Sequence, residues 1–304
     1  MFRSALAALV LLGCAFRADA IVVTGANPND PLYQSPATGV SFLSIAGGGA
    51  CSGALLGTGQ HILTAAHCVI NATGPTAATA RFETGLGTLN YASTNILFHP
   101  SFDNANILAG FDIAIIYLGL TVDASIDRYP IFTNSTELGQ VGIVAGWGRE
   151  GTGATGGNGG SSGNGRRQGE NEIDQILNGN ILLFDFDNGL SAQNSLGGTG
   201  RGNLEVSTYR GDSGGPTFIG GQIAGIHSFI SCVVANPSDT TCQSPPDIDT
   251  VINGTFGERF GDTRVSNYTS WINGAIADVP EPGTYFTAFA GLAAILLRAR
   301  KQRG

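Results

Sequence analysis

Gly211-Asp212-Ser213-Gly214-Gly215-Pro216 is the stretch on which the reading of this chain turns. A serine stands among glycines, so backbone and reacting partner can both approach its hydroxyl closely. A serine hydroxyl is a weak nucleophile at neutral pH and acts only with a base beside it. Two stretches nearer the N-terminus supply what it lacks. Leu63-Thr64-Ala65-Ala66-His67-Cys68 offers an imidazole, and Phe111-Asp112-Ile113-Ala114-Ile115 offers a carboxylate at the head of an apolar run. Singly, these are an ordinary turn, a satisfied core histidine and a loop cap. As a constellation they point to nucleophilic catalysis. His61 and His99 stand in no such motif and read as surface or structural.

Outward from these motifs, the 304 residues carry 15 Lys+Arg against 23 Asp+Glu, a net charge of -8. That balance excludes a nucleic-acid binder, which needs clustered cations to neutralise phosphates. Apolar runs are short, interrupted by many of the 46 glycines, and rich in Val, Ile, Thr and Phe. They read as many short strands. Ser52–Leu56 and His61–Thr64 form an expected hairpin, Ile113–Leu118 and Gln140–Ala145 expected strands. Ile181–Phe186, Pro216–Ile219 and Ile223–Ile226 add more, with Gly220-Gly221 as a turn between the last two. The Gly/Ser/Thr/Asn-rich stretch 151–169 predicts a mobile loop, with Arg166 and Arg167 solvated. Helical spacing of Tyr268, Trp271, Ile272 and Ala275 predicts one helix near Asn267–Ile276.

Both ends read as address labels. In residues 1–20 a basic Arg3, an apolar run from Ala5 to Phe16 and Ala18-Asp19-Ala20 make a secretory signal peptide. A lipoprotein-like box at Leu11-Leu12-Gly13-Cys14 is the weaker match. In residues 278–304, Val279-Pro280-Glu281-Pro282-Gly283, an apolar run Tyr285–Leu297 and a basic close resemble the PEP-CTERM sorting signal. That resemblance implies processing by an exosortase-type enzyme and transient membrane association, because 13 apolar residues are short for a permanent span. The expected location is outside the cytoplasm: secreted, or in the cell envelope. Export means an oxidising compartment. Once Cys14 leaves with the leader, Cys51, Cys68, Cys232 and Cys242 remain, with three connectivities open to them. No metal-ligand spacing is present, and neither metal nor cofactor is expected.

Residues 21–277, with the order His67, Asp112, Ser213 and the landmarks Ala145-Gly146-Trp147-Gly148 and Asn267–Ile272, resemble the chymotrypsin/trypsin-like serine proteases. The resemblance implies an all-β fold of two antiparallel six-stranded barrels packed together, with a C-terminal helix. It implies a catalytic triad of His67, Asp112 and Ser213, and an oxyanion hole from the N–H groups of Gly211 and Ser213. It pairs Cys51 with Cys68. Tyr209 stands where many members carry a cysteine, which leaves Cys232 to Cys242. A cut after Ala20, by signal peptidase, would expose Ile21, whose ammonium would pair with Asp212. Export alone would then activate the enzyme.

The same resemblance sets the substrate pocket at Ser207, Thr208, His227 and Ser228. Ser207 stands where an aspartate would select Arg or Lys, so that preference is not expected. His227 with neighbouring hydroxyls suits a substrate glutamate; a pocket for a small or apolar residue is the other reading. The substrates implied are proteins or peptides. A surface-displayed adhesion or matrix-binding protein, with proteolysis incidental, is the alternative from another class.

Overall fold

The computed structural model describes residues 21–277 except 86, 160, 199, 237 and 238. The expected leader (1–20) and sorting tail (278–304) lie outside the described residues.

Six strands, Val40–Ile45, Gly49–Leu55, His61–Thr64, Ala78–Thr84, Gly87–Phe98 and Ala114–Leu118, close into one antiparallel barrel. Val40, Leu43, Ala54, Ile62, Leu63, Phe82 and Ile115 are fully buried and belong to its core. The hairpin expected at Leu56–His61 is present, with Ala54 opposite Leu63. His61 is buried rather than on the surface: its Nδ1 meets the Thr58 hydroxyl at 2.6 Å, and its ring packs edge-on against Tyr117.

The second half holds seven strands in the order Arg167–Glu172, Val141–Gly146, Pro216–Ile219, Gln222–Ser231, Arg259–Arg264, Ile181–Asp185, Gln175–Leu177. Among the described residues hydrogen bonds close one barrel, so the expected second closed barrel is not confirmed. The two end strands are consecutive pieces of one stretch that changes neighbour part-way. Ile173 N–H still donates to Gln140 O, at 3.0 Å, whereas Asp174 N–H donates to Leu183 O, also at 3.0 Å. Between Arg167–Glu172 and Ile181–Asp185 a side chain bridges instead of a ladder: Asn171 Nδ2 donates to Asp185 O at 2.7 Å.

A third, small sheet corrects the expectation of a mobile loop at 151–169. Glu150–Thr152 and Gly156–Gly159 form a hairpin that continues through Val22–Val23 to Val206–Ser207. The glycines serve close approach here. A Cβ on Gly153 would lie 2.2 Å from the Phe256 ring, and one on Gly157 would lie 2.1 Å from Tyr209. Arg167 is likewise not solvated: it is 0% exposed, and its Nη2 donates to Asn29 Oδ1 at 3.0 Å. The Arg166 guanidinium sits over the Trp147 ring.

The described residues end in a 3₁₀ turn, Val265–Tyr268, and the helix Thr269–Ala277, which buries Ile272 and Ala275. Tyr117 of the barrel donates to Ala275 O at 2.9 Å, and Trp147 Nε1 donates to Val40 O at 2.9 Å. The two halves are therefore joined by one core, with the Ser213 loop and His67 at their junction.

Candidate active site

His67 lies in the single helical turn Ala66–Val69, which follows directly on the strand ending at Thr64. The turn has no side-chain cap of its own at Ala65. Asp112 supplies the acceptors instead. Its Oδ1 receives the His67 backbone N–H at 2.9 Å, and its Oδ2 receives Nδ1–H at 2.7 Å. Asp112 is 0% exposed and sits just ahead of the strand Ala114–Leu118. From the other half, Ser228 Oγ donates to Asp112 Oδ2 at 2.6 Å and Thr263 Oγ1 to Asp112 O at 2.9 Å. One carboxylate thus fixes the helical turn, the ring orientation and the tautomer. Burial pushes the His67 pKa down, but the Asp112 charge and hydrogen bond override it, leaving the pKa raised above the ordinary histidine value.

Ser213 is half-buried, at the mouth of a cavity of about 200 Å³. Its carbonyl receives Ser52 N–H at 2.8 Å. The Cys51–Cys68 disulfide lies between the Ser213 segment and His67: Cys68 Sγ is 3.6 Å from Ser213 O and 3.8 Å from His67 Nε2. No hydrogen bond joins Nε2 to Ser213 Oγ here; such bonds often tighten only with substrate bound. Cys232 is bonded to Cys242. Cys51, His67 and Cys68 are close enough to suggest a metal, but both sulfurs are in a disulfide and offer no thiolate.

The loop before Ser213 is held from several sides. Gly211 has φ +97°, a conformation open to glycine. The Arg210 carbonyl receives Arg149 N–H at 2.8 Å and Ser162 Oγ at 3.1 Å. In a planar trans peptide this turns the Gly211 N–H the opposite way. The Asp212 carbonyl likewise receives Gly215 N–H at 2.8 Å, which turns the Ser213 N–H away from it. Neither Arg149 nor Ser162 carried any signal in the sequence, because both act through distant backbone.

Asp212 is 0% exposed and accepts from Gly148 N–H at 2.7 Å, Tyr209 N–H at 2.9 Å and the backbone N–H of Ile21. Burial raises its pKa to about 6 against those bonds and the nearby His227 charge. Ile21 is fully buried.

Of the expected pocket residues, Thr208, His227 and Ser228 line the cavity, together with Tyr209, Arg210, Phe229 and Ile230. Ser207 does not: it is 1% exposed and paired with Val22 behind the wall. Ser228 faces Asp112 with its hydroxyl. His227 is 1% exposed, with Nδ1 on Asp262 Oδ1 at 2.9 Å and Nε2 on Ala145 O at 3.2 Å. Both partners are acceptors, so both ring nitrogens carry protons. Burial pushes this imidazole down too, and Asp262 overrides it, so the pKa is raised. The second oxygen of Asp262 receives Thr217 Oγ1 at 2.6 Å. With both nitrogens engaged inside the protein, the ring has no free donor for a substrate carboxylate.

The trypsin family profile matches residues 31–243. Chymotrypsin-like elastase family member 1 of Bos taurus is 30% identical over 257 residues, covering 75% of this chain and 79% of that one. The Rattus norvegicus protein of that name is 28% identical over 288 residues, covering 85% and 91%. Mouse neuropsin, a serine protease expressed in the limbic system, shares the fold: TM-score 0.57 at 20% identity, covering 79% of this chain and 95% of that one. With the motifs, the fold and the profile in agreement over most of its length, the chain belongs to the trypsin family and is a serine endopeptidase.

Proposed function

We propose that this is an exported endopeptidase that cleaves proteins or peptides after a small or apolar residue, through an acyl-enzyme on Ser213. Ser213 Oγ attacks the carbonyl carbon while His67 Nε2 takes its proton and passes it to the leaving amine. Asp112 keeps the Nδ1–H tautomer and stabilises the imidazolium. Water then attacks the ester by the same route and frees Ser213. The Gly211 and Ser213 N–H groups receive the oxyanion. The observation that carries the reading is the double hold of Asp112 on His67, which leaves Nε2 as the reactive nitrogen.

Activation by a cut after Ala20 is supported by two features of Ile21. Its N–H already bonds Asp212. Its φ is +69°, a strained value for a β-branched residue, worth about 1–3 kcal/mol. That torsion exists only while the 20–21 peptide bond does, so cleavage by signal peptidase removes the strain and replaces an amide by an ammonium beside a buried carboxylate. The two disulfides agree with an oxidising compartment. Processing of the tail by an exosortase-type enzyme, with transient membrane association, completes the proposed route.

For the residue before the scissile bond, the cavity is lined by Thr208, Tyr209, Arg210, Ser228, Phe229 and Ile230; its cation, Arg210, is exposed to solvent, and no carboxylate is among them. Arg and Lys therefore find no counter-charge. His227, with both nitrogens engaged, offers glutamate no donor. Peptide substrates with Ala, Val, Phe, Glu or Arg before the bond test this, with fluorophosphonate labelling of native and Ser213→Ala protein. Labelling lost in the variant and turnover highest for Ala or Val support the reading. Labelling that persists in Ser213→Ala, or highest turnover for Glu or Arg, refutes it.

A further inference from the structure

The segment between the Cys232–Cys242 disulfide and the strand Arg259–Arg264 holds two carboxylates that proteolysis does not use. Asp247 and Glu258 are 0% and 1% exposed. Each has one oxygen engaged locally. Asp247 Oδ1 accepts from Asp249 N–H at 3.0 Å. Glu258 Oε1 accepts from the N–H groups of Asn253, Gly254 and Thr255 at 2.8, 2.9 and 3.0 Å. The Thr255 hydroxyl lies between them, 3.2 Å from Asp247 Oδ1 and 3.1 Å from Glu258 Oε1. A hydroxyl carries one proton, so it satisfies only one of these acceptors.

The remaining oxygens, Asp247 Oδ2 and Glu258 Oε2, are both buried without a hydrogen-bond partner. Among the described residues neither carboxylate has an ion-pair partner. Burial pushes both carboxyls above their usual range, and the charge of Asp247 adds to the push on Glu258. Two like charges with bare buried oxygens are not a stable end state; a cation or protons must complete them. The Thr255 hydroxyl touches both carboxyl groups, and the charge of Asp247 is felt at Glu258.

The donor chemistry names the ion. Carboxylates and a hydroxyl are hard oxygen donors, and the two nearby sulfurs of Cys232 and Cys242 are in a disulfide. We propose that Asp247 and Glu258 are the carboxylate ligands of a cation site that takes a hard divalent ion of calcium's class. Its place in the fold gives it a consequence. Gly157 N–H donates to Asn253 O at 2.7 Å and Phe256 N–H to Gly153 O at 2.9 Å. Phe256 packs with Val22 and Tyr209. The ion therefore fastens segment 247–258 behind the chain that follows Ile21 and behind the residue that bonds Asp212.

This site stands independently of the proteolytic reading, and its test reads binding and stability, not turnover. Full-length Ser213→Ala protein, which cannot digest itself, is stripped with chelator and titrated calorimetrically with CaCl₂. One site per chain is expected, with a thermal midpoint raised by about 5 °C at a hundredfold excess over Kd. Added Asp247→Asn or Glu258→Gln should abolish both the heat and the shift. Absence of heat and shift with Ca²⁺, Mg²⁺ and Mn²⁺ overturns the proposal and leaves a protonated pair. Binding that survives in both variants overturns it equally, since the ion then sits elsewhere.

Discussion

Ser228→Ala isolates a single hydroxyl that couples the two halves of the active site. Asp112 Oδ2 now receives two hydrogens, from His67 Nδ1 at 2.7 Å and from Ser228 Oγ at 2.6 Å. A hydrogen bond to a charged group contributes about 1.5–3 kcal/mol. Its removal leaves the carboxylate fully buried with one fewer donor, so the variant should lose about that much stability. The same change concentrates negative charge on the oxygen facing the imidazole, which favours the imidazolium. If about half of ~2 kcal/mol is expressed there, the His67 pKa rises by roughly 0.7 units at ~1.36 kcal/mol per unit. As the proposed base His67 must be neutral, so the acid limb of kcat/KM should move upward by that amount. Activity well above the limb should fall less than about tenfold, since tautomer and oxyanion donors are intact. The assay is a pH profile of kcat/KM beside a urea melt of the same preparations. An acid limb that stays in place or moves down, in a variant that remains folded, refutes the coupling.

In the native enzyme the acid limb itself should lie above 6.5, because Asp112 raises the His67 pKa; a limb below 6 in the same profile contradicts that direction. Asp212, with its folded pKa raised to about 6, favours the protonated folded state, so uncut chain should lose stability as pH rises from about 4 to 6, by up to ~3 kcal/mol. Chain beginning at Ile21 should lack this loss, because its ammonium pairs with the ionised form; urea melts of both forms across that range check the difference. His227→Ala should destabilise by about 3–5 kcal/mol by leaving Asp262 buried and unpaired, while the ratio of Glu to Ala turnover stays within about twofold; a large fall in that ratio would restore His227 to the pocket. Gly153→Ala should cost about 1–3 kcal/mol, because its methyl group would meet Phe256, and a thermal midpoint equal to native would show the hairpin to be loose.

The residues of the candidate site could be named along the chain because the proposed chemistry demands particular side chains in particular local settings. Ser213 among glycines, His67 beside Cys68 and Asp112 ahead of an apolar run each carry that demand within six residues. The hairpins at Gly57–Gly59 and Gly220-Gly221 and the helix Thr269–Ala277 were legible for a similar reason, since turn chemistry and burial period are local properties. What stayed hidden depends on partners that arrive from far away. The glycines of 151–169 resembled disorder until Phe256, Tyr209 and Val22 supplied the surfaces they pack against. Arg167 looked solvated until the fold placed it against Asn29. Ser228, 116 residues from Asp112 along the chain, and Ser162, 48 from Arg210, orient the site through bonds that no local pattern encodes. Whether the second set of strands closes was decided at Ile173 and Asp174, where one stretch exchanges neighbours. Sequence period reports which face of a segment is buried; only the assembled chain determines what lies against that face, and hydrogen bonds and charge depend on the partner.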